Sequence, residues 1–266
     1  MRPKQVLTIA GSDSGGGAGI QADLKTFQAR GVFGTSVITA VTAQNTLGVN
    51  SVHPVPLEIV EAQLEAIFED FDIAAIKTGM LVDQTYMELV AKNLAKHPTI
   101  PLIIDPVMIA KGGHPLMASN AIETMKTKLV PLADIITPNI PEAQALTGIE
   151  ITDNKTMLEA ARLLKNLGSR VVIIKGGHAL EDPEATDLVL LESGEDVWLS
   201  TPRIDTKNTH GTGCTYSACI TAEIAKEQDD MKAIQTAKAY IQAAIAQPLE
   251  SIGHGHGPTN HWAYQD

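Results

Sequence analysis

Short apolar runs alternate along this chain with longer amphipathic segments, and that alternation is the strongest constraint on what it can fold into. Parallel strands need crossover helices, so such a pattern points to βα units and a largely parallel sheet. The runs predict strands at Val6–Ala10, Ser36–Val41, Ala75–Lys77, Leu102–Ile104, Asp134–Ile136, Val171–Ile174, Thr186–Leu191 and Asp196–Leu199. The intervening segments predict helices at Ala18–Arg30, Leu57–Glu69, Gln84–Lys96, Asn120–Leu129, Glu142–Thr147, Thr156–Leu167, Gly213–Lys226 and Met231–Gln247. Up to their final residues, Asp105 and Lys175, the LIID and VVIIK runs are continuously apolar, as in central strands covered on both faces. Gly194, between TDLVLLE and EDVWLS, predicts a hairpin and hence one antiparallel edge. No internal repeat, low-complexity tract or Pro/Gly/Ser-rich linker interrupts the pattern, so one continuous α/β domain is expected over residues 1–266.

Composition narrows the partners. Thirty-one acidic against 20 basic residues give a net charge of −11, the wrong balance for a general binder of nucleic acid or of a membrane surface. No apolar stretch approaches the roughly 18 residues that span a bilayer, and the VLTIA run is too short for a signal peptide. The two cysteines, Cys214 and Cys219, point about 140° apart if they share a helix, so a mutual disulfide is not expected. A soluble cytoplasmic protein acting on a small molecule is the expectation.

In open parallel sheets, ligands bind beyond the carboxyl ends of the strands. There the sequence places GSDSGGGAG after the first strand, TAQN after the second, KTGM after the third, DPVM after the fourth, TPNIPE after the fifth and KGGH after the sixth. Gly11–Gly19 holds five glycines and is neither a P-loop nor G-x-G-x-x-G, but it leads into a helix and suits close backbone approach to a ligand. Thr209–Thr215, THGTGCT, opens the helix starting near Gly213. Its amides suit an anion hole for a phosphoryl group in transfer. Cys214 lies in that first turn, where the helix dipole favours a thiolate, although an inert cysteine beside a cap reads equally from spacing. Cys219, mid-helix, reads as core.

Asp105 ends a buried strand, and Asn139 and Glu142 follow the next. Carboxylates at such a rim hold Mg²⁺, yet Asp105 could cap a turn and Glu142 could occupy a helix's first turn. Lys175 suits a nucleotide phosphate or a solvated strand end. The tail GHGHGPTNHW carries three histidines without a zinc pattern, and a loop packing back on the domain is expected. Ala110–Leu116, with two glycines, is the candidate cover over the substrate.

Taken together, AGSDSGGGAGIQADLKTF, TAVTAQNTLGV, IKTGM, DPVMIAKGG, TPNIPEA, IIKGGH and NTHGTGCT resemble the bacterial hydroxymethylpyrimidine/phosphomethylpyrimidine kinases of thiamine biosynthesis, in the ribokinase-like superfamily. The resemblance runs from Leu7 to the tail. It implies a three-layer α/β/α sandwich, mostly parallel with an antiparallel edge, and two successive phosphorylations of one pyrimidine that depend on ATP and Mg²⁺. It assigns the pyrimidine to Gln44, with Gly11, Thr42, Asp23 and Met80 nearby. Cys214 stands where most ribokinase-like sugar kinases carry an Asp base, and Gly211 and Gly213 supply the anion-hole amides. Asp105 and Glu142 match the metal region, Asn139 and Lys175 the phosphate region, and Lys238 a nucleotide-side position. A homodimer is implied as well. Pyridoxal or pyridoxine kinase of the same superfamily is the alternative; the position of Gln44 is typically apolar there, which favours the pyrimidine.

Overall fold

The computed structural model describes residues 2–108, 119–177 and 183–264. The cover candidate Ala110–Leu116 therefore lies outside the described residues, as does His178 of KGGH. Contacts group the chain into two compact units, one of residues 1–82, 99–101 and 204–266, the other of residues 83–98 and 102–203.

In the first unit, β1 (Gln5–Ser12) lies between β2 (Phe33–Asn45) and β4 (Ile73–Thr78), parallel to both. β2 also pairs with the antiparallel β3 (Gly48–Pro54), giving the order β3-β2-β1-β4. This corrects two expectations. TAQN does not follow the second strand but forms its last four residues, and an antiparallel pair exists here besides the one expected at Gly194. β3 escapes a hydrophobic-period search because every one of its residues is exposed.

Helices α1 (Gly19–Ala29), α7 (Thr212–Ala225) and α8 (Asp230–Ala246) pack in sequence, α1 on α7 and α7 on α8. Ala218, Ala222 and Ala225 recur at helical spacing on α7 and let it approach Val6, Phe27 and Ala75 closely. α2 (Leu57–Asp70) lies against β2.

The second unit runs β5 (Leu102–Ile104), β6 (Ile135–Ile136), β7 (Val171–Ile174), β8 (Glu184–Leu190) and β9 (Asp196–Pro202) in that order. β5, β6 and β7 are parallel and fully buried, which is why their sequences lack alternation. β8 and β9 form the antiparallel hairpin expected at Gly194, whose φ is +88°. The helices here are α3 (Gln84–Leu94), α4 (Ser119–Thr124), α5 (Ile140–Thr147) and α6 (Asn154–Asn166). The helix expected over Asn120–Leu129 is α4 followed by a π-helical turn, Met125–Leu129. α6 starts two residues before its expected Thr156 because Asp153 caps it, accepting from the Thr156 amide at 2.8 Å.

Candidate active site

The loop after β1 is organised around a buried anion of its own. Asp13, only 3 % exposed, accepts the Gly15 amide at 2.8 Å, the Gly17 amide at 3.1 Å and the Ala18 amide at 2.9 Å. Its Oδ2 also lies 2.8 Å from His210 Nε2. Burial opposes the Asp13 charge, but the His210 contact and the loop amides outweigh it and hold the carboxyl below the usual carboxylate range. Three amides that the glycine-rich sequence seemed to offer a ligand are thus committed inside the loop. Asp13 was legible as an acid among glycines at a helix start; counting glycines alone missed it.

Two glycine-rich segments meet backbone to backbone. Gly211 has φ +80°, and a Cβ there would stand 1.8 Å from the Gly17 carbonyl oxygen, so no other residue fits. Gly211 is also the N-cap of α7, and no side chain caps that end. Gly213 and Cys214 fall in the first turn, with Cys214 partly exposed. Cys219 is in the core, and neither cysteine is in a disulfide.

Gln44 is tied to the same loop. Ser14 Oγ accepts from the Gln44 amide at 2.8 Å and donates to its carbonyl at 2.6 Å. The Gln44 carboxamide lies 3.2 Å from Thr42 Oγ1 and 3.4 Å from His210 Nε2. Thr42 Oγ1 donates to the Ser12 carbonyl at 2.8 Å. Gly11 sits at a bulge in β1, and a Cβ on it would come within 2.4 Å of Met80 Cε. The first unit therefore gathers Gly11, Thr42, Gln44 and His210, and it also carries Met80, Gly211, Gly213 and Cys214.

Asp23 is paired within the first unit. Its carboxylate is wholly buried and takes two hydrogen bonds from Lys77 Nζ, at 2.7 and 2.8 Å, and one from Thr8 Oγ1 at 2.6 Å. These bonds fix α1 to β1 and β4. Lys77 had no sequence signal beyond a cation inside an apolar strand. Lys238 lies in α8 and is 8 % exposed.

The tail packs back as expected and holds both loops. The His254 and Gly255 amides donate to Thr46 Oγ1, and the His256 amide to the Thr46 carbonyl. Further on, the His210 amide donates to the Gly257 carbonyl. His261, 5 % exposed, lies 3.0 Å from Thr215 Oγ1. Burial, helped by the charge of Lys25, lowers the His261 pKa from 6.5 to about 4. The unfolded chain therefore takes up this proton first as pH falls, so stability is full above pH 6.5 and declines towards pH 4, by about 3 kcal/mol in all. Urea midpoints at pH 7.5, 5.5 and 4.5 should show this decline, and His261→Gln should flatten it. Parallel profiles for the two proteins would exclude His261 as the source.

In the second unit, Lys175 Nζ lies 3.0 Å from Asp105 Oδ1, and Thr137 Oγ1 3.3 Å from the same oxygen. Asn139 and Glu142 form a capping box on α5: Asn139 Oδ1 accepts the Glu142 amide at 2.8 Å, and Glu142 Oε2 accepts the Asn139 amide at 2.9 Å. The plain helix-start reading of Glu142 is thus realised, but it is not the whole account. Burial pushes the Glu142 pKa up to about 7; the Asp105 charge adds to this and Lys175 opposes it. Two buried carboxylates that feel one another, with Lys175 as the cation acting on them, make an oxygen-donor set with room for further positive charge. Such a set fits Mg²⁺, which takes one or two carboxylates and keeps waters and phosphates as its other ligands.

Comparison with known proteins identifies the family. The phosphomethylpyrimidine kinase family model matches residues 13–260. A hydroxymethylpyrimidine/phosphomethylpyrimidine kinase of Haemophilus influenzae is 60 % identical over 263 residues, covering 98 % of this chain and 97 % of the relative. A thiamine biosynthesis bifunctional protein of Geobacter sulfurreducens is 49 % identical over 258 residues, 96 % of this chain and 52 % of that protein. Among solved structures, the ADP complex of Bacillus subtilis pyridoxal kinase is 40 % identical with a TM-score of 0.89, covering 98 % of each chain. The fold class expected from sequence, α/β with a mostly parallel sheet and antiparallel edges, is the fold shared with such kinases. The chain belongs to the phosphomethylpyrimidine kinase family and is a phosphotransferase.

Proposed function

We propose that this chain phosphorylates 4-amino-5-hydroxymethyl-2-methylpyrimidine to its monophosphate and then to its diphosphate, using ATP, in thiamine biosynthesis. The observation that carries the reading is the start of α7: an end without a side-chain cap, Cys214 in its first turn, in the same unit as the clasped Gln44. Gln44 takes the aminopyrimidine edge, beside Thr42, Gly11 and Met80. In the first step the substrate hydroxyl oxygen bonds to the γ-phosphorus, the bond to the departing ADP oxygen breaks, and the hydroxyl proton passes to the Cys214 thiolate. In the second step the nucleophile is an anionic phosphate oxygen with no proton to lose. The amides at Gly211, Gly213 and position 214 face the negative charge in both.

Asp105 and Glu142 would hold Mg²⁺, directly or through water; when bound, the ion neutralises charge on the phosphates. Lys175 and Asn139 contact phosphate oxygens, and Lys238 acts on the nucleotide side. We place all of these in one catalytic domain spanning residues 1–266. A homodimer is part of the proposal. It is supported by the exposed β2–β3 hairpin, where Val41, Leu47, Val49 and Val52 are 43–73 % exposed, and sedimentation at micromolar concentration tests it. Among the described residues no helix is long and apolar enough to cross a membrane. A cytoplasmic location accords with that and with the unbridged cysteines.

The likeness to a pyridoxal kinase favours pyridoxal as a second substrate. ADP release measured with the pyrimidine, its monophosphate and pyridoxal separates the two. Both pyrimidines should give the higher kcat/KM; pyridoxal turning over faster than either would overturn the assignment.

A further inference from the structure

We propose that Asp187 and Arg203 are positioning residues for Lys175: they hold the Gly176–Gly177 backbone that follows it, and so set where its ammonium stands against the nucleotide phosphates. The proposal deepens the reading above and rests on Lys175 contacting those phosphates.

Asp187 breaks the pattern of its own strand. Leu188, Val189 and Leu190 follow it in β8 as buried apolar residues, and Asp187 itself is only 5 % exposed. Burying a carboxylate beside apolar neighbours is costly, so an acid there points to a role other than packing. Its Oδ1 accepts the Gly176 amide at 3.0 Å.

That bond stands where a strand ladder stops. β7 and β8 pair antiparallel through Val172↔Leu190, Ile173↔Val189 and Ile174↔Leu188. Carried two residues further, the same register would set Gly176 opposite Thr186. The Gly176 amide turns instead to the Asp187 side chain, and a Cβ on Gly176 would stand 1.8 Å from the Thr186 carbonyl oxygen. The next residue is held independently. Arg203, just past β9, donates from Nη1 to the Gly177 carbonyl at 2.8 Å and from Nη2 to the Glu184 carbonyl at 3.2 Å.

Lys175 is anchored on its other side as well. Its amide donates to the Pro138 carbonyl at 2.9 Å, and it bridges in parallel with Asn139. From this fixed root its Nζ reaches to 3.0 Å from Asp105 Oδ1. A lysine carries its charge on a flexible four-carbon stem, so a shift of the root moves the charge. A displacement of about 1 Å can cost about 10²-fold in rate.

The experiment measures kcat and the KM values for ATP and for the pyrimidine in the wild-type enzyme, Lys175→Met, Asp187→Ala, Asp187→Asn and the double variant Lys175→Met with Asp187→Ala. Lys175→Met should lower kcat/KM for ATP by about 10²–10³-fold. Asp187→Ala should lower it by about 10–100-fold, with the KM for the pyrimidine within a few-fold of wild type. Asp187→Asn, whose amide oxygen can still accept from Gly176, should stay close to wild type. In the double variant Asp187→Ala should add little, because no ammonium is left to aim. Should Asp187→Ala not fold, Arg203→Met, with Arg203→Lys as its conservative partner, carries the same expectation. Full additivity in the double variant, a rise in both KM values alike, or an Asn variant as impaired as the Ala variant would overturn the positioning role and leave Lys175 its phosphate contact. An unimpaired Lys175→Met would overturn that contact and this proposal together.

Discussion

Replacing Cys214 by alanine should slow phosphorylation of the alcohol by about 10²–10⁴-fold and leave phosphorylation of the monophosphate within a few-fold of wild type. The asymmetry follows from proton counting. The alcohol must lose a hydrogen as it attacks, and the Cys214 thiolate is the group proposed to receive it. The monophosphate attacks through an oxygen that is already anionic, so removing a base costs that step little. Backbone amides do not depend on the side chain at 214, and the start of α7 should survive the change. Gly211→Val is the contrasting variant. Its Cβ would stand 1.8 Å from the Gly17 carbonyl at a φ of +80°, so the loop must move and both steps should suffer. Single-turnover measurements on the alcohol and the monophosphate, at matched ATP and Mg²⁺, decide the matter. Equal losses in both steps for Cys214→Ala, or none in either, would remove the thiol as a step-selective base and leave catalysis to positioning and electrostatics.

How much of this was legible depends on where each signal resides. Buried strands announce themselves: VVII and LII match β7 and β5 to the residue because a strand covered on both faces must be continuously apolar. β3 does not, since a fully exposed edge has no buried face to impose a period. The site divides in the same way. Gly211 and Cys214 stand out through local composition, glycines opening a helix, and Glu142 through its place after a strand. Asp13 with His210 and Asp23 with Lys77 are partnerships across 197 and 54 positions of sequence, made by the register of strands and the return of the tail. No local pattern encodes such distances. Asp23 was placed near the substrate by the resemblance alone, and nothing in its local sequence pairs it with Lys77 on β4.

That partnership carries the largest expected effect on stability. Lys77→Met should destabilise the fold by about 3–5 kcal/mol, because it leaves the Asp23 carboxylate buried without a counter-charge. Both side chains are 0 % exposed, so water cannot compensate, and the two hydrogen bonds from Lys77 Nζ are lost. At roughly 2–4 °C per kcal/mol for a chain of this size, the melting temperature should fall by about 6–20 °C. Removing both charges is a different change. Lys77→Met combined with Asp23→Leu replaces the ion pair by apolar groups of similar bulk and should recover most of the loss, since the cost lies in the unpaired charge more than in the missing attraction. Chemical denaturation of the two single variants and the double variant measures that coupling. Because Asp23 is enclosed beneath α1, the double variant should also keep its KM for the pyrimidine within a few-fold of wild type. Two findings would tell against this account. A double variant less stable than Lys77→Met would mean that the ion pair supplies net stability after all, and a large rise in KM without loss of stability would return Asp23 to the substrate.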